Sequence, residues 1–145
     1  MKVLLCKFCD YACRVDGGKG SLIGMFDTIG GMEFPLTHPT FFICVEFEFQ
    51  HWETNKDTQV KMVLIDEDGK ELMGVEGHFR VPPSHDGRPV TIFESFRIDN
   101  LRFDKPGIYR LDVISNNEPI AESRLYLVSG PPPGAMPGHG PRPDL

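Results

Sequence analysis

Four cysteines are the residues of this sequence whose type and spacing come closest to a chemical motif. Cys6, Cys9 and Cys13 follow a C-x2-C-x3-C spacing, and Cys44 is the fourth. A C-x2-C pair is the usual half of a zinc site, because Zn²⁺ prefers four soft ligands in a tetrahedral arrangement. The second half is missing, since no cysteine or histidine stands at ligand spacing from Cys44.

Strand geometry argues against a metal site at these cysteines. If residues 3–15 form one strand, Cys9 and Cys13 share a face and Cys6 points to the other. At about 3.3 Å per residue, Cys9 and Cys13 would lie about 13 Å apart, which is too far for one metal ion or a disulfide. We therefore expect small side chains that are buried or lie at a strand edge. A zinc-stabilised module is the alternative.

Two glycine-containing loops are similar to ligand-binding motifs but depart from them in register. In Gly17-Gly18-Lys19-Gly20-Ser21 a glycine separates the lysine from the serine, and a strand pattern follows where a phosphate loop needs a helix. In Asp66-Glu67-Asp68-Gly69 the glycine falls too early for a calcium loop of the EF-hand type. Both segments predict hairpin turns. Calcium bound jointly by several acidic loops, as in C2-type sandwiches, stays open for the second.

Five histidines are present, and none stands in a catalytic motif: His38, His51, His78, His85 and His139. Catalysis needs a nucleophile, a base and an orienting group that converge in space, and the spacing nominates no such set. We therefore expect a protein that is not an enzyme and has no cofactor. A small hydrolase or carbohydrate-binding domain built around His51, Trp52 and nearby carboxylates is a further alternative.

The elements that must position these residues are predicted to be strands along nearly the whole chain. Apolar residues occupy every second position from Phe41 to Phe49, the period of a strand with one buried face. Turn signals recur at short spacing, and no window shows sustained helical spacing. We expect about eight strands in an antiparallel two-sheet sandwich, with one strand over residues 21–29 and a long one over 90–103.

A Pro-Gly turn in Phe103-Asp104-Lys105-Pro106-Gly107-Ile108-Tyr109 precedes a tyrosine at the start of a strand. This arrangement resembles the corner of immunoglobulin-like sandwiches, where the tyrosine hydroxyl bonds back to upstream backbone. An ordinary turn followed by a core tyrosine is the alternative.

Composition sets the organisation of the chain. The protein has 145 residues and a net charge of −6, which indicates one domain and argues against a generic nucleic-acid binder. No apolar run approaches the roughly 20 residues of a membrane span, and the apolar start is too short for a signal peptide. We expect a cytoplasmic protein with reduced cysteines.

Glycine and proline are concentrated at the C-terminus. Residues 129–145 contain four glycines and six prolines, with no aromatic or β-branched residue. Such a segment cannot bury enough apolar surface to offset its ordering entropy. We predict a β-sandwich domain over residues 1–128 and a disordered Pro/Gly-rich tail over 129–145.

Several short motifs of the body together resemble one known family. They are Cys9-Asp10-Tyr11-Ala12, Gly20-Ser21-Leu22-Ile23-Gly24-Met25-Phe26-Asp27, Phe34-Pro35, His38-Pro39, Val63-Leu64-Ile65-Asp66-Glu67-Asp68-Gly69 and the segment from Phe103 to Tyr109. The family is a bacterial domain-of-unknown-function family of small immunoglobulin-like β-sandwich proteins. The resemblance implies a fold and a bacterial origin, but no reaction and no site residue.

A foldable body without a chemical motif favours a function in binding. We expect a non-catalytic module that binds a protein partner or forms a homodimer through sheet edges or end loops. The Pro-rich tail is a secondary candidate for the binding segment.

Overall fold

Nine β-strands make up most of the computed structural model, which describes residues 1–131. They are β1 (Lys2–Val15), β2 (Lys19–Phe26), β3 (Thr28–Gly31), β4 (Leu36–Phe49), β5 (Asp57–Ile65), β6 (Glu71–Arg80), β7 (Val90–Phe103), β8 (Gly107–Ser115) and β9 (Glu118–Ser129). Two single 3₁₀ turns, Asp16–Gly18 and His51–Glu53, are the helical elements within these residues. None of the helical elements among residues 1–131 is long and apolar enough to cross a membrane.

The strands form two sheets, which confirms the predicted all-β sandwich class. The four-stranded sheet has the order β2-β1-β4-β7, and the five-stranded sheet has the order β3-β9-β8-β5-β6. The strand predicted over residues 21–29 is divided, because the chain crosses between sheets at Asp27. β3 pairs in parallel with β9, so the sandwich is not entirely antiparallel.

The main core lies between the sheets, and β4 contributes most to it. Its five alternate side chains from Phe41 to Phe49 are at most 1% exposed, as the two-residue period predicts. Burying a side chain of this size stabilises the fold by roughly 1.5–3 kcal/mol. The opposite layer is supplied by β5, β8 and β9, through the buried side chains Met62, Leu64, Leu111 and Leu125.

The predicted tyrosine corner is present. The Tyr109 hydroxyl donates a hydrogen bond of 2.7 Å to the carbonyl oxygen of Lys105. The Tyr109 ring also packs edge-on against Phe103, with ring centroids 5.1 Å apart. The bond and the ring contact fix the start of β8 against the end of β7.

A second core covers the far side of the four-stranded sheet. It consists of Cys9, Ala12, Cys44 and Phe93, and Cys44 alternates with main-core residues and therefore points away from that core. The far half of the β1–β2 hairpin lies across this face. There the Arg14 guanidinium is 3.3 Å from the Glu94 carboxylate on β7.

The close approach of β2 to β7 depends on a glycine. These strands stand at opposite ends of the sheet order, yet they are in contact. A Cβ at Gly20 would lie 2.4 Å from the Phe93 ring, a distance that no side chain can tolerate. We name this arrangement, in which residues 12–22 lie against β7, the folded hairpin.

The last strand ends at Ser129, the first residue of the predicted tail. β9 includes Ser129, and the backbone N–H of Gly130 donates to the carbonyl oxygen of Gly31 at 2.9 Å. The remainder of the predicted tail, residues 132–145, lies outside the described residues, and its predicted disorder stays a prediction.

Candidate binding groove at the sheet crossing

A groove of about 350 Å³ opens where the chain passes from β2 into β3. Its apolar walls include Phe26, Ile29 and Leu36, and its polar lining includes Asp10 and His38. The volume lies within the range of small-molecule and side-chain pockets. We name it the crossing groove.

Asp10 lies on the hairpin side of the crossing groove, over a glycine. Gly24 has a φ of +70°, in the left-handed region that glycine adopts readily. A Cβ at Gly24 would lie 2.4 Å from Oδ2 of Asp10, so the carboxylate rests directly over the Gly24 backbone. Within residues 1–131, Asp10 has neither a hydrogen-bond nor an ion-pair partner. The groove therefore presents an exposed, unpaired negative charge.

His38 supplies a second polar group, next to two aromatic rings. Its imidazole lies 6.2 Å from the Phe26 ring and 5.6 Å from the Phe41 ring, measured between centroids. Burial lowers the pKa of His38 below its ordinary value of 6.5, and the Asp10 carboxylate opposes that effect. Burial therefore disfavours a positive charge on the imidazole beside Asp10.

Exposed apolar side chains continue from the crossing groove along the hairpin. Tyr11 is 51% exposed, Ile23 64% and Met25 60%. Tyr11 and Ile23 are cross-strand partners, and Met25 lines the groove. We name these three residues the hairpin strip. Adjoining exposed apolar side chains of this size mark interaction surfaces more often than isolated ones do.

The four cysteines do not come together. Cys6 belongs to the main core, whereas Cys9 and Cys44 meet in the second core with sulfur atoms 3.9 Å apart. Cys13 is partly exposed. Among residues 1–131, no three His, Cys, Asp or Glu side chains are arranged to hold a metal ion. The contact between Cys9 and Cys44 was not predicted, because it depends on the pairing of β1 with β4.

Burial controls the chemistry of the core thiols. It raises the pKa of Cys9 to about 12 and also raises the pKa of Cys44 and of Cys6. A thiol is a nucleophile and a metal ligand only as the thiolate. At neutral pH these three cysteines therefore act as small apolar groups.

The two loops that are similar to ligand-binding motifs are hairpin turns, as predicted. Gly17 and Gly18 adopt φ values of +77° and +75° in the turn between β1 and β2. In the acidic loop, Asp66 accepts hydrogen bonds from two backbone N–H groups of its own turn. The remaining carboxylates also have partners.

These partners hold the acidic loop against the start of β8. Glu67 accepts a 2.8 Å hydrogen bond from the Ile108 N–H, and Asp68 forms a 3.0 Å ion pair with Lys105. The carboxylates of the acidic loop therefore stabilise the turn and its contact with β8. The structure supplies no sign that they converge on a cation.

His51 and Trp52 lie in the 3₁₀ turn after β4, with ring centroids 5.0 Å apart. Trp52 is 62% exposed. The neighbouring Glu53 carboxylate accepts a 2.9 Å hydrogen bond from the Gln50 N–H and contacts the amino group of Met1. The carboxylate closest in sequence is thus already engaged in capping the turn.

Sequence reasoning missed the crossing groove. Asp10 and His38 lie on β1 and β4, and neither carries a motif. The pairing of β1 with β4 brings them near each other, and the crossing from β2 into β3 adds the apolar walls Phe26 and Ile29. Neither event leaves a clear signal in hydropathy. The glycine in Ile23-Gly24-Met25 was the one local sign of an irregular strand. Of the other histidines, His78 and His85 lie outside this groove, and His139 lies outside the described residues.

Two solved structures illustrate the known proteins to which the chain is similar. One is a β-glucuronidase from glycoside hydrolase family 2, with 19% identity, a TM-score of 0.40 and coverage of 65% of this chain and 10% of that chain. The other is the Pseudomonas fluorescens alkylpurine DNA glycosylase AlkC bound to DNA containing an abasic site analog. It has 14% identity, a TM-score of 0.44 and coverage of 88% of this chain and 30% of that chain. Likeness at this level carries no argument about function.

No curated protein matches the sequence significantly. A family model, in contrast, matches residues 4–128, which is nearly the whole described body. This match confirms the predicted membership of an uncharacterised family. The chain belongs to DUF6941, a family of unknown function.

Proposed function

We propose that this protein is a non-catalytic module that binds a segment of a partner protein across the hairpin strip and the crossing groove. The observation that carries the proposal is the continuity of these two surfaces, because Met25 belongs to both. Water-exposed aromatic and methionine side chains beside a concave site are typical of the buried centre of an interface.

The strand order supports an immunoglobulin-like arrangement of this module. The order β9-β8-β5-β6 corresponds to strands G, F, C and C′ of variable-type domains, and neighbouring β4 and β7 correspond to B and E. Tyr109 then stands at the start of the strand equivalent to F, where the tyrosine corner belongs. Sandwiches of this kind commonly bind partners through loops and edges while the core stays rigid.

The cysteines support a reducing compartment such as the cytoplasm. All four are free, and Cys9 and Cys44 are in sulfur–sulfur contact without a disulfide. Thiols of this kind persist where glutathione and thioredoxin keep them reduced.

The proposal is tested by selecting binders from a displayed random-peptide library on the full chain and measuring their affinity for surface variants. Tyr11→Ser and Ile23→Ser should each weaken the selected peptides by at least about tenfold, a typical loss at an interface centre. Ile108→Ser is the matched control, because Ile108 is 43% exposed on the other sheet. The affinity for that variant should stay unchanged.

Two outcomes would reject this function. One is a failure to select any saturable peptide on the full chain. The other is an equal loss of affinity for the strip variants and for Ile108→Ser.

A further inference from the structure

We infer that the crossing groove takes a lysine or arginine side chain of the partner, with Asp10 as its counter-ion. The inference rests on the proposed function and adds the chemistry of the anchoring residue. It commits to a basic residue of another protein chain as the occupant.

The unpaired carboxylate is the first observation that supports a basic residue. Many acidic side chains within residues 1–131 have partners, such as Glu94 with Arg14 and Asp68 with Lys105. Asp10 has none within residues 1–131, and its carboxylate lies over the Gly24 backbone in the lining of the groove. A charge-assisted hydrogen bond to an incoming cation would satisfy it.

The walls of the crossing groove suit the aliphatic stem of such a side chain. Phe26, Ile29 and Leu36 line it with apolar surface, on which the methylene groups of lysine or arginine pack well. The rings of Phe26 and His38, with centroids 6.2 Å apart, both line the groove, and an aromatic ring attracts a nearby cation. An acidic side chain would meet the like charge of Asp10, and burial disfavours the positive charge on His38 that could offset it.

The charged residues that line the groove also favour a positively charged occupant. None of its lining residues within the described chain is lysine or arginine. The neighbouring groove on the other side of Met25 differs, because Lys7 and Arg124 line it. The net charge of −6 adds long-range attraction for basic partners.

The test is an NMR titration of the full chain with the capped peptide acetyl-Ala-Lys-Ala-amide. Saturable shifts are expected at the backbone amides of Asp10 and Gly24 and at the His38 imidazole. Asp10→Asn should weaken the binding at least about fivefold, and so should replacement of lysine by norleucine in the peptide. Asp16→Asn is the control, because it removes the same charge at the hairpin turn, outside the groove.

Equal binding of the lysine and norleucine peptides, or shifts that do not map to the groove, would overturn the inference. Arg142 lies outside the described residues, and Arg142→Gln tests a rival occupant. A gain in affinity of this variant for the lysine peptide would assign the groove to the chain's own arginine and overturn the assignment to a partner.

The proposed binding function and the inference of a basic anchor can fail independently of each other. If the library-selected peptides require the hairpin strip but bind Asp10→Asn as well as the unaltered chain, the basic anchor is wrong and the binding function stands. Thermal unfolding of each variant distinguishes these results from a loss of fold.

Discussion

At the residue scale, His38 is the side chain whose charge depends most directly on the crossing groove. Its pKa lies below 6.5 because burial disfavours the imidazolium, while Asp10 acts in the opposite direction. The sequence contained no sign of this, since a histidine followed by a proline has no defined environment. The environment arises from β2 and β4, which meet only in the folded protein.

The pKa of His38 makes folding stability depend on pH. The unfolded chain takes up the proton near pH 6.5, whereas the folded chain does so only at lower pH. The free energy of unfolding therefore decreases as pH falls from 6.5 through the folded pKa. We expect His38→Gln to reduce this pH dependence, as measured by urea unfolding between about pH 7.5 and 5.

Asp10→Asn tests separately how the Asp10 carboxylate affects the pKa of His38. It should lower the pKa of His38 further, measured by NMR titration of the imidazole, because Asp10 raises it in the unaltered chain. An unchanged or higher value would contradict the described position of Asp10.

At the element scale, the folded hairpin is the feature that could not be predicted from the sequence. The alternation of β4, the turn at Asp68-Gly69 and the tyrosine corner at Tyr109 were predictable, because each depends on local period or turn chemistry. The contact of Gly20 with Phe93 was not, because it joins strands at opposite ends of one sheet. Strand bending of this kind depends on packing between segments distant in the sequence.

Gly20→Ala tests the folded hairpin. The added methyl group would overlap the Phe93 ring, so the free energy of unfolding should fall by about 1–3 kcal/mol, a typical cost of overpacking. Gly77→Ala is the control, because a Cβ there meets no atom within 4 Å and the backbone is not left-handed. Urea unfolding of both variants gives the comparison.

Phe93→Leu tests whether the destabilisation caused by Gly20→Ala arises from overlap with the Phe93 ring. With Phe93→Leu in the background, Gly20→Ala should cost less than it does alone, which is a non-additivity typical of contacting residues. Strict additivity would show that Gly20 matters for another reason.

At the scale of the whole molecule, β4 is covered on both faces of its sheet, whereas the five-stranded sheet packs on a core with one face only. The main core lies on one side of β4 and the second core on the other. The free energy of local opening should therefore differ along the chain. It should be highest in β4 and lower in the far half of the hairpin. The attachments of that half include the approach of Gly20 to Phe93, the ion pair between Arg14 and Glu94, and the packing of Ala12 and Leu22 in the second core.

Hydrogen exchange of the backbone amides measures this difference in local stability along the chain. The amides of Cys44 and Val45 should exchange slowest, and those of residues 12–22 faster. Glu94→Gln should accelerate exchange in residues 12–22 and leave β8 unchanged, because it weakens one attachment of the hairpin. Uniform acceleration across the chain would show that the hairpin does not open separately.

The uncovered face of the five-stranded sheet has a consequence for mutational tolerance. Along β8, exposed Ile108 and Arg110 alternate with buried Tyr109 and Leu111. Sequence drift can accumulate on this face at little energetic expense, since its side chains support neither core. It is also the surface for fluorescent labels, affinity handles or immobilisation, because an attachment on the outer face of β8 leaves the hairpin strip and the crossing groove open to solution.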